Sequence, residues 1–112
     1  MSVKVWYQVR DLERGRAFYT GTLGFEQVYV DDGWVGLVRG PMEIAIAVGE
    51  PTEDGGVATI DVEDVKAEAE RLRSAGVSVG VVLELHGQMR LLDVFDPDGN
   101  RVQLAQVLDE SV

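Results

Sequence analysis

The 112-residue chain has no cysteine and a single histidine, His86. Disulfides and thiolate metal sites are therefore excluded, and no Cys-His pair or Ser-His-Asp constellation stands out. Basic residues are scarce, 10 against 20 acidic, for a net charge of −10. That deficit argues against nucleic acid, whose binding rests on neutralising phosphates. It suits a cationic ligand, or serves solubility alone. No apolar run is long enough to span a membrane and no signal-like segment begins the chain, so a soluble, cytoplasmic protein is expected. Prolines number three against 13 glycines, and 46% of the chain is apolar, which points to many turns and not to disorder. No glycine-rich phosphate loop is present, because Gly55-Gly56 and the turn glycines lack a following Lys-Ser/Thr.

What is present begins with Val94-Phe95-Asp96-Pro97-Asp98-Gly99-Asn100-Arg101-Val102-Gln103-Leu104. Proline presets the first corner of a tight turn and Gly99 or Asn100 accepts positive φ, so the stretch reads as a hairpin. Its second strand puts Gln103 on the face opposite Val102 and Leu104.

Taken in order, Val3 to Val9 alternates as a strand, and Asp11 caps a helix running to about Thr20. Gly15 inside that helix costs about 1 kcal/mol relative to alanine, so close packing against a neighbour is expected there. Strands follow at Glu26 to Val30, Trp34 to Arg39 and Met42 to Val48, separated by Asp31-Asp32-Gly33 and Gly40-Pro41. The polar stretch 49–56 is the linker. Beyond it lie a strand at Val57 to Val62, a helix capped by Asp64 and stopped by Gly76, and strands at Val79 to Leu85, Met89 to Phe95 and Arg101 to Val107.

The order repeats, and so do the residues. Val9-Arg10-Asp11-Leu12 matches Val62-Glu63-Asp64-Val65, Leu23-Gly24-Phe25 matches Ala75-Gly76-Val77, and Ile44-Ala45-Ile46 matches Val102-Gln103-Leu104. The expectation is one α+β domain over 1–112 made of two βαβββ modules, 1–48 and 57–112. A half this short cannot bury its sheet alone, so the modules must pair.

These motifs, with Arg14, Phe18-Tyr19 and Phe95-Asp96-Pro97-Asp98-Gly99-Asn100, resemble the vicinal oxygen chelate superfamily of glyoxalase I, extradiol dioxygenases and bleomycin or fosfomycin resistance proteins. The resemblance implies mixed sheets curled around a ligand cavity, the glyoxalase/bleomycin resistance fold. It also implies homodimers in which modules pair across the interface, sometimes by swapping. Metal-dependent members hold a divalent ion with four cavity-facing residues, which fall here on Lys4, Ala45, Val57 and Gln103. Lysine has no acceptor and alanine and valine have no lone pair, so only Gln103 can ligate. About three protein ligands are needed, and the expectation is a protein without metal or other cofactor.

Strand parity puts Lys4, Trp6, Gln8, Glu43, Thr59, Asp61 and Gln103 on the cavity side, and His86 sits in a loop bordering the cavity mouth in relatives. Trp6 offers a stacking surface for planar or cationic ligands, or fills the space between modules. Lys4 with Glu43 or Asp61 binds ligand, or plugs the vacant metal site as a salt bridge. The function expected is metal-independent binding of a small drug-like or secondary-metabolite molecule at a homodimer interface, cationic or aromatic in character. The rivals are a metal-dependent lyase, isomerase or dioxygenase, an acid–base enzyme using Glu43 and His86, and a structural or regulatory dimer.

Overall fold

The computed structural model describes residues 5–52 and 55–108. Lys4, one of the expected cavity residues, lies outside them. In the first module β1 (Val5–Val9) leads into α1 (Leu12–Ala17), then β2 (Glu26–Asp31), β3 (Trp34–Arg39) and β4 (Met42–Val48). In the second, β5 (Ala58–Asp61) leads into α2 (Val65–Ser74), β6 (Ser78–Val79), β7 (Leu83–Leu85), β8 (Met89–Phe95) and β9 (Arg101–Val107). The sheets run β1-β4-β3-β2 and β5-β9-β8-β6, with β7 also on β8. The first strand of each lies parallel to the last, and the other pairs are antiparallel. The result is an α+β fold of two mixed sheets, curled but not closed.

Capping by Asp11 and Asp64 starts both helices, each carboxylate accepting a backbone N–H three residues on. Gly15 is where the first helix meets the sheet: a Cβ there would come within 3.1–3.3 Å of the Val9 side chain. The helix does not continue regularly to Thr20. After Ala17 it widens into a π-helical turn, Phe18–Thr22, closed by the bond from Leu23 N–H to Phe18 O. That widening lets Phe18, Tyr19 and Leu23 all reach the core.

A second difference lies at residues 79–85, which alternate as one strand but form two. Val79 pairs with Val94 and Leu83 with Leu91, so three residues oppose two. The extra residue breaks the ladder as a bulge. Its counterpart is the irregularity between Gln27 and Tyr29 in β2. In both modules, therefore, the strand after the helix is kinked, which also discourages open edge pairing.

One apolar cluster runs under both sheets, from Tyr7, Ile44, Ile46 and Leu37 in the first to Ile60, Leu92 and Leu104 in the second. Each such side chain taken fully from water contributes about 1.5–3 kcal/mol. The seam between modules is polar and specific. Tyr7 OH donates to Arg101 O at 2.6 Å and accepts from Ala58 N–H at 2.9 Å. The turn 96–100 docks on the β1–α1 corner: Asn100 Nδ2 donates to Gln8 O at 2.8 Å and Arg14 Nη2 to Asp98 Oδ1 at 2.8 Å. Gly99 takes the positive φ of that turn, 86°. The hairpin that stood out in the sequence is thus a clasp between modules.

Candidate functional site

Parity along each strand separates a core face from an outer face. In the first sheet Val5, Tyr7, Val9, Ile44, Ile46, Val35 and Leu37 pack on the helix. The opposite face carries Trp6, Gln8 and Glu43, as expected. Register adds residues that the sequence did not order: Trp6 pairs with Ala45, Ala45 with Gly36, and Gly36 with Tyr29. Directly paired residues share a face, so one row runs aromatic, small, small, aromatic. Tyr29 Cβ lies 3.3 Å from where a Gly36 Cβ would stand. Trp34, paired with Ala47, joins the same face one row on, next to Asp31 and Gln8.

Two independent features bound this slot. Glu43 Oε1 is buried without a hydrogen-bond partner among the described residues, a costly state for a carboxylate oxygen. The linker closes the other flank. Gly55 O accepts from Trp6 N–H at 3.2 Å, and a Cβ on Gly55 would fall 2.7 Å from Trp6 Cδ2. Trp6 therefore serves both the linker and the outer face of the sheet. Tyr29 OH donates to Asp31 Oδ2 at 3.2 Å, and this bond leads in raising the phenol's pKa.

The outer face of the second sheet carries Thr59, Asp61 and Gln103, also as expected. Gln103 pairs with Asp93 and its Nε2 sits 3.5 Å from Asp93 Oδ1, while Arg101 Nη1 lies 3.7 Å from Asp93 Oδ2. Around this polar centre the face is apolar, with Leu91, Ala105, Leu83 and Leu85. Leu83 and Leu85 are exposed, as are Val28, Tyr29 and Val30 of β2. Thr59 and Asp61 also line a separate cavity of about 370 Å³ with Arg39, Pro41 and Met42.

His86 is not gathered with the others. It is exposed at the tip of the β7–β8 hairpin with φ 54°, beside Gly87 at φ 69°, and Gln88 N–H closes the turn onto Leu85 O. Its backbone is what the turn uses. Tyr29 and Gly36 do not follow from the sequence, because the β2 bulge hides their pairing, and the facing of Trp34, left open there, is supplied by the β3–β4 register.

The family's metal positions offer a poor donor set here. Ala45 is fully buried between its neighbours, Val57 is aliphatic, and Gln103 supplies one amide oxygen. Among the described residues no cluster of three or more His, Cys, Asp or Glu is placed to hold a metal ion. The residues do not fit a divalent cation, which needs about three protein ligands.

Among solved structures, an integron cassette protein from the mobile metagenome of Halifax Harbour sewage outfall is 24% identical, with a TM-score of 0.80 and 96% of this chain and 98% of that one covered. TnmS3, an antibiotic-binding protein from Streptomyces sp. CB03234, is 23% identical at TM-score 0.73, covering 96% of each chain. The fosfomycin resistance protein FosX of Listeria monocytogenes, complexed with Mn(II) and sulfate, is 19% identical at TM-score 0.78, covering 96% of this chain and 89% of that one. These likenesses establish the fold alone. No curated protein matches the sequence. No helix among the described residues is long and apolar enough to cross a membrane. Residues 3–104 match the family as a whole, and the chain belongs to the Glyoxalase/Bleomycin resistance protein/Dioxygenase superfamily.

Proposed function

We propose that this protein binds a small planar organic molecule, aromatic and cationic, on the outer face of its first sheet, without a metal ion. The row Trp6–Ala45–Gly36–Tyr29 carries the reading. Two small residues between two aromatic side chains make a flat, buried floor that a planar ring would reach by displacing the side chains above it, and aromatic faces attract both rings and cations. Glu43, whose Oε1 has no hydrogen-bond partner among the described residues, supplies the anionic anchor, and Gln8 a neutral one. The description of TnmS3 as an antibiotic-binding protein is consistent with a sequestering role for a drug-like or secondary-metabolite ligand. Metal-independence rests on the donor chemistry of Ala45, Val57 and Gln103.

In a single chain the floor of the slot, Ala45 and Gly36, is covered by neighbouring side chains, while Tyr29 at its edge is exposed. A homodimer would bring the second-sheet face of a partner, with Gln103, Asp93 and the exposed Leu83 and Leu85, over it. Burying those leucines supplies the apolar area that association needs. The cytoplasm is the compartment we assign.

The test is titration of tryptophan emission with proflavine, a planar cation, and with bleomycin, on dialysed protein whose metal content has been measured. Saturable quenching by either compound in metal-free protein supports the reading. Near-stoichiometric manganese, zinc, nickel or iron would replace it with a metal-dependent lyase, isomerase or dioxygenase. No response from either compound leaves a structural or regulatory dimer as the better account.

A further inference from the structure

The seam between modules has two corners related by the internal repeat, and only one is filled. At the β1–α1 corner the turn between β8 and β9, residues 96–100, seats Asp98 so that its side chain is 0% exposed. Arg10 and Arg14 both hold that carboxylate, at 3.3 and 2.8 Å. At the β5–α2 corner the facing turn, between β3 and β4, consists of Gly40 and Pro41 alone. The missing length leaves the cavity of about 370 Å³ bounded by Arg39, Pro41, Met42, Thr59 and Asp61. A second hollow of about 330 Å³ shares Arg39 and Asp61 with it and extends to Ala67 and Glu68.

The charge of the open corner is the reverse of the filled one. The repeat that aligns Val9-Arg10-Asp11 with Val62-Glu63-Asp64 puts Glu63 and Ala67 where the filled corner has Arg10 and Arg14. The hollows are faced by the carboxylates of Asp61, Glu63, Asp64 and Glu68, against the one guanidinium of Arg39. Arg39 is already engaged, donating to Leu23 O at 2.7 Å and lying 3.9 Å from Glu68. The Asp61 carboxylate, exposed on β5, has no hydrogen-bond or ion-pair partner among the described residues. Met42 and Pro41 supply an apolar wall beside it.

We infer that this unfilled corner is a second binding site, taking a compact aliphatic amine: the ammonium on Asp61, the hydrocarbon against Pro41 and Met42. The volume lies within the ordinary range of small-ligand sites, about 300–1,000 Å³. A charge-assisted bond to a carboxylate with no other partner supplies the polar anchor. The site is distinct from the aromatic slot and stands whether or not that slot binds anything.

Amide chemical shifts of the full chain, titrated with cyclohexylmethylamine and with cyclohexylmethanol as its uncharged counterpart, test it. The amine has no ring to stack on Trp6. Expected are saturable shifts at Gly40, Met42, Thr59 and Asp61 for the amine, weaker by about tenfold or more for the alcohol. Asp61→Asn should remove the response. Ala67→Arg, a helix-compatible change that restores the cation of the filled corner, should remove it too. An equal response to the alcohol, unchanged binding in both variants, shifts confined to other surfaces, or no saturation up to about 10 mM amine would overturn the assignment.

Discussion

Tyr19 donates a 2.9 Å hydrogen bond to Asp96 Oδ2, joining the helix of one module to the clasp turn of the other across 77 residues of sequence. Both groups are buried, and Asp96 also accepts from the N–H of Asp98 and Asn100 and from Asn100 Nδ2. Tyr19→Phe keeps the ring packing on Tyr7, Phe18 and Phe25 but removes one donor from a buried carboxylate. The expected cost is about 1–3 kcal/mol, read as a lower urea midpoint at unchanged m-value.

The same pair makes stability sensitive to alkali. Burial first, and the charge of Asp96 second, push the Tyr19 phenol well above its ordinary value. A group whose folded pKa is raised contributes stability that is complete below the unfolded pKa, about 10 for tyrosine, and is lost as pH rises beyond it. Urea midpoints measured from about pH 8 to 11 should therefore fall above about pH 10 in the native sequence. Tyr19→Phe should flatten that fall, leaving the residual slope to the other tyrosines. Parallel curves for the two proteins would contradict the assignment.

The clasp itself predicts coupling. The Asp98 side chain is fully buried while that of Arg14 is half exposed, so solvent screens the pair only from one side. A double-mutant cycle on Arg14→Ala and Asp98→Ala should return a favourable coupling of about 1 kcal/mol, above the few tenths ordinary for surface pairs. Coupling near zero would mean that the turn is held by Arg10, Asn100 and Tyr19 without Arg14.

Much of this architecture is legible in the residues. Alternation in Val5–Val9 and Met42–Val48, the capping carboxylates Asp11 and Asp64, and the echo of Ile44-Ala45-Ile46 in Val102-Gln103-Leu104 lead to two similar sheets. Parity then puts Trp6, Gln8, Glu43, Thr59, Asp61 and Gln103 on their outer faces. What escapes is anything that depends on one residue too many. The bulges at Val28 and at 80–82 shift register locally, so neither the pairing of Tyr29 with Gly36 nor the break after Val79 follows from period-2 counting. The π-helical turn at Phe18–Thr22 is of the same kind. The inter-module role of Asp96–Asn100 was hidden for another reason: its partners, Gln8, Arg14 and Tyr19, are remote in sequence.

Gly55 is predicted to be intolerant of any side chain. A Cβ would overlap Trp6 O and sit 2.7–2.9 Å from the indole carbons Cδ2 and Cε2, and backbone cannot give way as a flexible side-chain end can. Gly55→Ala should cost about 2 kcal/mol or more through overpacking and displace the linker. A changed Trp6 emission maximum in the folded variant, against an unchanged one in Trp6→Phe/Gly55→Ala, would locate the effect.

His86 should be replaceable without loss of ligand binding. Its φ of 54° favours Asn or Gly, so His86→Asn should leave thermal stability within about 0.5 kcal/mol. His86→Val should cost more, because a β-branched side chain is strained at positive φ. Both variants should quench with proflavine as the native protein does. A loss of quenching in His86→Asn at native stability would put the imidazole back among the ligand contacts.

Gly36 decides whether the aromatic slot is a site or only a surface. Its position in β3, paired with Ala45 on one side and Tyr29 on the other, is one where a larger residue suits the strand better than glycine. Gly36→Val should gain strand propensity within about 1 kcal/mol, offset in part by pushing on Tyr29 Cβ at 3.3 Å. Stability should therefore change little while the slot fills, and proflavine affinity should fall by about tenfold or more. Trp6→Ala should lower it as well, whereas Trp34→Phe, one row away and still aromatic, should lower it less. If Gly36→Val folds normally and binds proflavine undiminished, the ligand does not lie between Trp6 and Tyr29.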